Sequence, residues 1–197
     1  MSIALVAGLG NPGREYEKTR HNLGFFVLDA LAQKLGLAWQ PQTQFDAHIA
    51  RWDKAPGATW LLAKPQTFVN ESGRSVAALA HFYKLAPADI IVAYDDLNIP
   101  LGRIKVSVTG SDGGHNGVAS LLAHVGDGFA RYRLGIGPKS PPQIDLKDFV
   151  LGKFSPSELA LVETNLNQYL DGLRLLIDSG AASAMNQLNR KDRNDQT

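Results

Sequence analysis

The segment Ile3-Ala4-Leu5-Val6-Ala7-Gly8-Leu9-Gly10-Asn11-Pro12-Gly13 begins as an apolar run and closes on glycines. An unbroken apolar run ended by turn residues has the pattern of a buried strand. Downstream, Leu23, Val27, Leu31 and Leu35 recur every four positions, which predicts an amphipathic helix over 22–35 stopped by Gly36. Residues 47–53 and 58–64 flank Lys54-Ala55-Pro56-Gly57 and read as a hairpin. Val76, Leu79, Ala80 and Tyr83 mark a second helix, and 90–94 is another apolar strand. Residues 103–108 alternate with period two, 117–125 reads as a short helix behind a glycine-rich loop, and 132–136 as a further strand. Such alternation predicts an α/β fold built on a central sheet.

Near the C-terminus, Ser155 is a candidate N-cap, Pro156 suits the first helical position, and Glu158 completes a capping box. Leu159, Val162, Leu166, Tyr169, Leu173 and Ile177 then predict one helix ending at Gly180. Gly137-Pro138-Lys139-Ser140-Pro141-Pro142 is rich in breakers and reads as a loop bordering a cleft. One domain is expected over 1–188, with 189–197 a polar tail prone to fraying.

The chain has 197 residues, 44% of them hydrophobic, 20% charged and 8% aromatic, which excludes a disordered chain, a coiled coil and a collagen-like repeat. It has no cysteine, so disulfides and Cys-based metal centres are excluded. No apolar run reaches the roughly 18 residues of a membrane span. Met1-Ser2-Ile3-Ala4-Leu5 lacks the basic start of a signal peptide, so a cytoplasmic protein is expected, with a monomer as the default state. Lys and Arg number 20 against 19 Asp and Glu, and a net charge of +1 by itself argues against a nucleic-acid partner.

Gly8-Leu9-Gly10-Asn11-Pro12-Gly13 matches G-x-G-x-x-G, but the dinucleotide fingerprint needs a helix opening inside the loop and an acid at the end of a second strand. Arg14-Glu15-Tyr16-Glu17-Lys18 shows no apolar periodicity, and Asp29 lies within the first helix. His21 sits at the start of that helix, where the positive dipole end should favour a neutral imidazole able to act as a general base. Asp95 ends an apolar strand, a place from which a carboxylate can orient a histidine; it could equally cap the following turn. Asn70 and Asn116 each precede a helix, as N-caps or as amides that recognise a peptide bond. The chain holds no G-x-S-x-G elbow and no H-E-x-x-H pattern, and His48, His81 and His124 read as structural. A water-activating histidine with a carboxylate partner remains.

Five co-linear segments carry a family resemblance: Gly8-Leu9-Gly10-Asn11-Pro12-Gly13, Thr19-Arg20-His21-Asn22-Leu23-Gly24, Lys64-Pro65-Gln66-Thr67-Phe68-Val69-Asn70-Glu71-Ser72-Gly73, Asp95-Asp96-Leu97 and Gly113-Gly114-His115-Asn116-Gly117. In order and spacing the chain resembles the bacterial peptidyl-tRNA hydrolase family. The resemblance implies a single-domain, three-layer α/β/α sandwich with a mixed, mostly parallel sheet. It implies cofactor-free and metal-free hydrolysis of the ester between a peptide and the 3′ ribose of tRNA, with peptidyl-tRNA as partner. By position, His21 is then the general base, Asp95 its orienting acid and Asn11 a third member of the reacting centre. Tyr16, Phe68, Asn70 and Asn116 are then substrate-binding. Val69 stands where the family commonly has Met, Tyr94 where His often precedes the aspartate, Asn98 where Asp is frequent, and Ser107 where a further Lys is usual. A non-catalytic RNA-binding module on the same scaffold is the alternative, and it need not keep the His/Asp/Asn set.

Charge is uneven along the chain. Residues 99–139 hold five basic residues against Asp112 and Asp127, a net +3 that leaves −2 elsewhere. Period two places Arg103 with Lys105, and Arg131 with Arg133, on common strand faces, so neighbouring strands would join all four in a basic strip. The resemblance assigns tRNA phosphate contacts to Lys105 and Arg133, with Arg103 beside them.

Overall fold

The apolar run at the N-terminus is strand β1 (Ser2–Gly8), whose Leu5, Val6 and Ala7 have no exposed surface. In this computed structural model, which describes residues 2–190, β1 lies within a seven-stranded sheet. The other strands are β2 (Gln40–Gln42), β3 (Ala47–Ala55), β4 (Ala58–Pro65), β5 (Ile90–Pro100), β6 (Ile104–Ser107) and β7 (Ala130–Gly137). Their order is β2-β3-β4-β1-β5-β7-β6. The central run β4-β1-β5-β7 is parallel, and the margins β2-β3-β4 and β7-β6 are antiparallel.

Helices α1 (Leu23–Lys34), α4 (Leu146–Leu151), α5 (Pro156–Thr164) and α6 (Leu166–Leu188) share one apolar core with the sheet, through residues such as Leu28, Phe149, Val162 and Leu173. Helices α2 (Ser72–Tyr83) and α3 (Asn116–His124) build the second core through Val76, Leu79, Val118 and Leu121. Two cores, one on each side of the sheet, make the three-layer α/β/α arrangement, and both faces of the parallel strands are buried as such sheets require.

Several expectations shift. The helix expected over 22–35 is a 3₁₀ turn, Arg20–Asn22, running into α1. The single C-terminal helix is two, broken at Asn165, and α6 continues through a non-helical Gly180 (φ 76°) as far as Leu188. The apolar stripe is the same in one bent helix or two, which is why periodicity alone does not reveal the break. Of the breaker-rich segment, Gly137 ends β7 and only 138–142 lack regular structure; the cleft wall is the short α4 that follows, unforeseen because six residues carry too little periodicity. The tail expected to begin at Asn189 is anchored there: Asn189 Oδ1 accepts from Val106 N–H and its Nδ2 donates to Val106 O, both at 2.8 Å. Residues 191–197 of that tail lie outside the described residues.

The start of α1 lies directly on the ends of β1 and β5. Leu9 N–H donates to Ala93 O at 2.9 Å, and a Cβ on Gly24 would meet Ala93 O and lie 2.7 Å from the backbone N and O of Leu9. Only glycine allows this approach, because the obstructing atoms are backbone and cannot turn aside. We expect Gly24→Ala to cost at least about 1–3 kcal/mol by overpacking. Urea unfolding measures it, and an unchanged midpoint would show that α1 is not seated by contact at this residue.

Candidate active site

A cleft of about 670 Å³ opens beyond the carboxyl ends of β1 and β5. Parallel sheets deliver chain ends there, and each chemistry-bearing residue arrives on its own element. Asn11 follows β1, His21 lies in the 3₁₀ turn before α1, Asn70 in the 3₁₀ turn Val69–Glu71 after β4, and Asp95 within β5. His115 and Asn116 open α3. Tyr16 and Phe68 stand edge to face with ring centroids 6.3 Å apart, and Phe68 is 56% exposed. All of these line the one cleft, together with Leu146, Lys147 and Val150 from α4.

Asp95 is the centre of the arrangement. Both its oxygens lie 3.0 Å from His21 Nδ1, and Oδ1 also lies 3.1 Å from His115 Nε2. The tautomers follow from what surrounds each ring. His115 is the N-cap of α3: its Nδ1 accepts from the N–H groups of Gly117 (3.1 Å) and Val118 (3.3 Å), so its proton sits on Nε2 and is donated to Asp95. His21 donates from Nδ1, which leaves the Nε2 lone pair as its basic atom. Burial alone would lift the Asp95 carboxyl, but the two histidines outweigh it and hold it well below the usual carboxylate range.

Burial opposes charge on His21, yet the Asp95 charge and hydrogen bond prevail and push it above the ordinary 6.5. This reverses the expectation that the dipole at the helix start keeps the ring from charging. A full negative charge at 3.0 Å acts more strongly than the half-charge of a helix end.

His21, Asp95 and His115 offer donor atoms within 4.8 Å of one another, a spacing open to a metal ion. Ligation through His115 Nε2 would move its proton to Nδ1, against the amide donors of Gly117 and Val118. The donor set therefore suits a proton relay better than a cation.

Asn11 is fixed on three sides. Its N–H donates to Asn22 Oδ1 and its carbonyl accepts from Asn22 Nδ2, both at 2.9 Å, while its own Oδ1 accepts from Val69 N–H at 2.8 Å. With Oδ1 engaged, Asn11 offers the cleft an Nδ2 donor. Asn70 and Asn116 are exposed and hold no N-cap position: Phe68 precedes the 3₁₀ turn, Glu71 holds the N-cap of α2 and His115 that of α3.

The basic residues lie apart from the cleft. Lys105 on β6 pairs directly with Arg133 on β7, and Arg133 Nε donates to Asp96 Oδ2 (2.8 Å), a residue of the cleft rim. Arg103 is half-buried in the turn before β6. Arg131 does not belong to an exposed strip: it is 2% exposed, and its guanidinium donates to the Gly110 and Ser111 carbonyls and to Asp127. Period two gives the face of a residue, but not whether a loop covers that face. His115 and Asn22 were not foreseen as site residues; the glycines ahead of His115 signal a helix start, but its role as cap needs the fold.

The family model described as peptidyl-tRNA hydrolase matches residues 5–196. A peptidyl-tRNA hydrolase from Anaeromyxobacter dehalogenans is 46% identical over 192 residues, covering 97% of this chain and 98% of its own. One from Mycobacterium bovis is 45% identical over 185 residues, covering 93% and 96%. The crystal structure of the Acinetobacter baumannii peptidyl-tRNA hydrolase superposes with a TM-score of 0.86 at 37% identity, covering 96% of each chain.

The geometry carries a titration test. We expect the His21 ring to titrate above 6.5, and below it in Asp95→Asn, where burial acts without an opposing charge. Ring-proton NMR against pH measures both midpoints, and equal midpoints would remove Asp95 as the controlling charge.

Proposed function

The chain belongs to the peptidyl-tRNA hydrolase family and hydrolyses peptidyl-tRNA, and on that premise we propose how its residues divide the work. His21 Nε2 removes a proton from water as the oxygen attacks the ester carbonyl. The carbonyl becomes an oxyanion, the tetrahedral intermediate collapses, and the 3′ oxygen of the ribose leaves with the proton returned by the His21 imidazolium. Free peptide and tRNA result. Asp95 stabilises the imidazolium, as its ionised state and its contact with Nδ1 support. His115 supplies the second N–H that keeps Asp95 ionised while buried.

Asn11 is the donor for the developing oxyanion, a role supported by its orientation: Oδ1 is engaged, Nδ2 is what remains, and Asn22 locks the backbone. Asn70 and Asn116 bind the peptide backbone, and the Tyr16–Phe68 aromatic edge packs on the substrate. Lys105 and Arg133 take tRNA phosphates, with Arg103 beside them. No metal or cofactor has a part. This reading takes the protein as a cytoplasmic monomer that recycles tRNA from prematurely released peptidyl-tRNA. Among the described residues no helix is long and apolar enough to cross a membrane.

The His21–Asp95 pair inside a cleft of amides carries the proposal. We expect His21→Ala to lower single-turnover peptide release by about 10²–10⁴ while tRNA binding stays near wild type. Unchanged release would refute the base assignment. Lys105→Ala should weaken tRNA binding and reduce its slope in log salt by about one, measured by titration at several salt concentrations. An unchanged slope would move the phosphate site elsewhere.

A further inference from the structure

Arg20 stands next to the proposed base, yet its side chain serves a different set of atoms. Its backbone N–H donates to Gly152 O at 3.1 Å, and Nη1 donates to Phe149 O (3.3 Å) and Lys153 O (3.1 Å). Nη2 reaches both Glu158 oxygens, at 2.9 and 2.7 Å. The guanidinium also lies over the Phe149 and Phe154 rings, 4.4 and 5.5 Å from their centroids. Beside it, Thr19 bridges Lys153, and Phe154 N–H donates to Lys18 O. One fork thus holds the carboxyl end of α4, the amino end of α5 and the turn that carries His21.

α4 needs such a holder. It has six residues, too few for a helix to persist by itself, and Phe149 is its one buried residue. That ring is the surface on which Arg20 lies. The helix nevertheless supplies a wall of the cleft through Leu146, Lys147 and Val150. Glu158 is shared: while it pairs with Arg20, it also accepts from Ser155 N–H at 2.7 Å in the α5 capping box.

We propose that Arg20 and Glu158 are positioning residues for the hydrolase reaction, the pair setting the α4 wall against His21 and thereby the hold on the peptide part of the substrate. The proposal rests on the reading of this cleft as the peptide site. The charge-assisted fork joins the α4 wall to α5 and to the turn before α1, and none of its contacts is with the Lys105–Arg133 pair on β6 and β7.

Glu158→Gln separates this role from simple support, because glutamine still completes a capping box while the charge is lost. We expect KM for peptidyl-tRNA to rise about tenfold, kcat to stay within about twofold, and affinity for deacylated tRNA to stay at wild type. Arg20→Lys, which keeps the charge without the fork, should fall between Glu158→Gln and wild type. Val150→Ala, on the wall itself, serves as the control. If Val150→Ala raises KM and Glu158→Gln does not, the positioning role is overturned and the peptide cleft stands. If neither raises KM, the reading of the cleft itself fails. A matching loss of deacylated-tRNA affinity in Glu158→Gln would also overturn the proposal, since the effect would then not lie at the peptide.

Discussion

A carboxylate that is 2% exposed costs several kcal/mol to take from water, and Asp95 is kept ionised by N–H donors from two imidazoles. Each donor comes from a different element, so the charge is tolerated only where three pieces of backbone meet. β5 must run at the centre of the sheet, α1 must approach closely enough to bring the turn before it over β5, and α3 must begin where His115 can cap it. Gly24 permits the first approach, and the amides of Gly117 and Val118 fix the His115 ring. A shift in any of them leaves a buried charge short of a partner. The geometry of this cluster and the fold are therefore not separable requirements at this point.

The layered α/β architecture was legible because strands buried on both faces read as apolar runs, as at Leu5-Val6-Ala7 and Ile90-Ile91-Val92, and helices as four-residue periods. The cleft residues were legible in part. His21, Asp95, Asn11, Asn70 and Asn116 do converge, as the motif order suggested. Features that depend on distance in space were not. The His115 contact with Asp95, the Asn22 clamp on Asn11 and the Arg20 fork on α4 join positions from 11 to 138 residues apart. Arg131 failed for a related reason: its strand face was right, but the loop at Gly110 and Ser111 folds over it and turns a surface cation into an internal support.

Net charge is a poor guide here because the arrangement matters more than the total. Lys105 and Arg133 sit directly across from one another, and like charges in that position repel. Asp96 relieves part of this by accepting from Arg133, and it is also a rim residue of the cleft. The strip and the cleft are thus joined through one carboxylate. A phosphate placed against Lys105 and Arg133 would relieve the remaining repulsion, so the cost of holding two cations together in the free protein is recovered when an anion arrives.

Asn189 brings the end of α6 against β6 with a paired donor and acceptor at Val106. An amide group presenting both at that spacing imitates the backbone of a neighbouring strand. β6 is the outer member of the sheet on that side, and an open outer strand invites pairing with another chain. The clamp occupies the middle of that four-residue strand with a side chain that cannot propagate the ladder. The same helix end thereby takes up the outward-facing donor and acceptor that a second chain would need to extend the sheet at Val106, on the margin that bears Lys105.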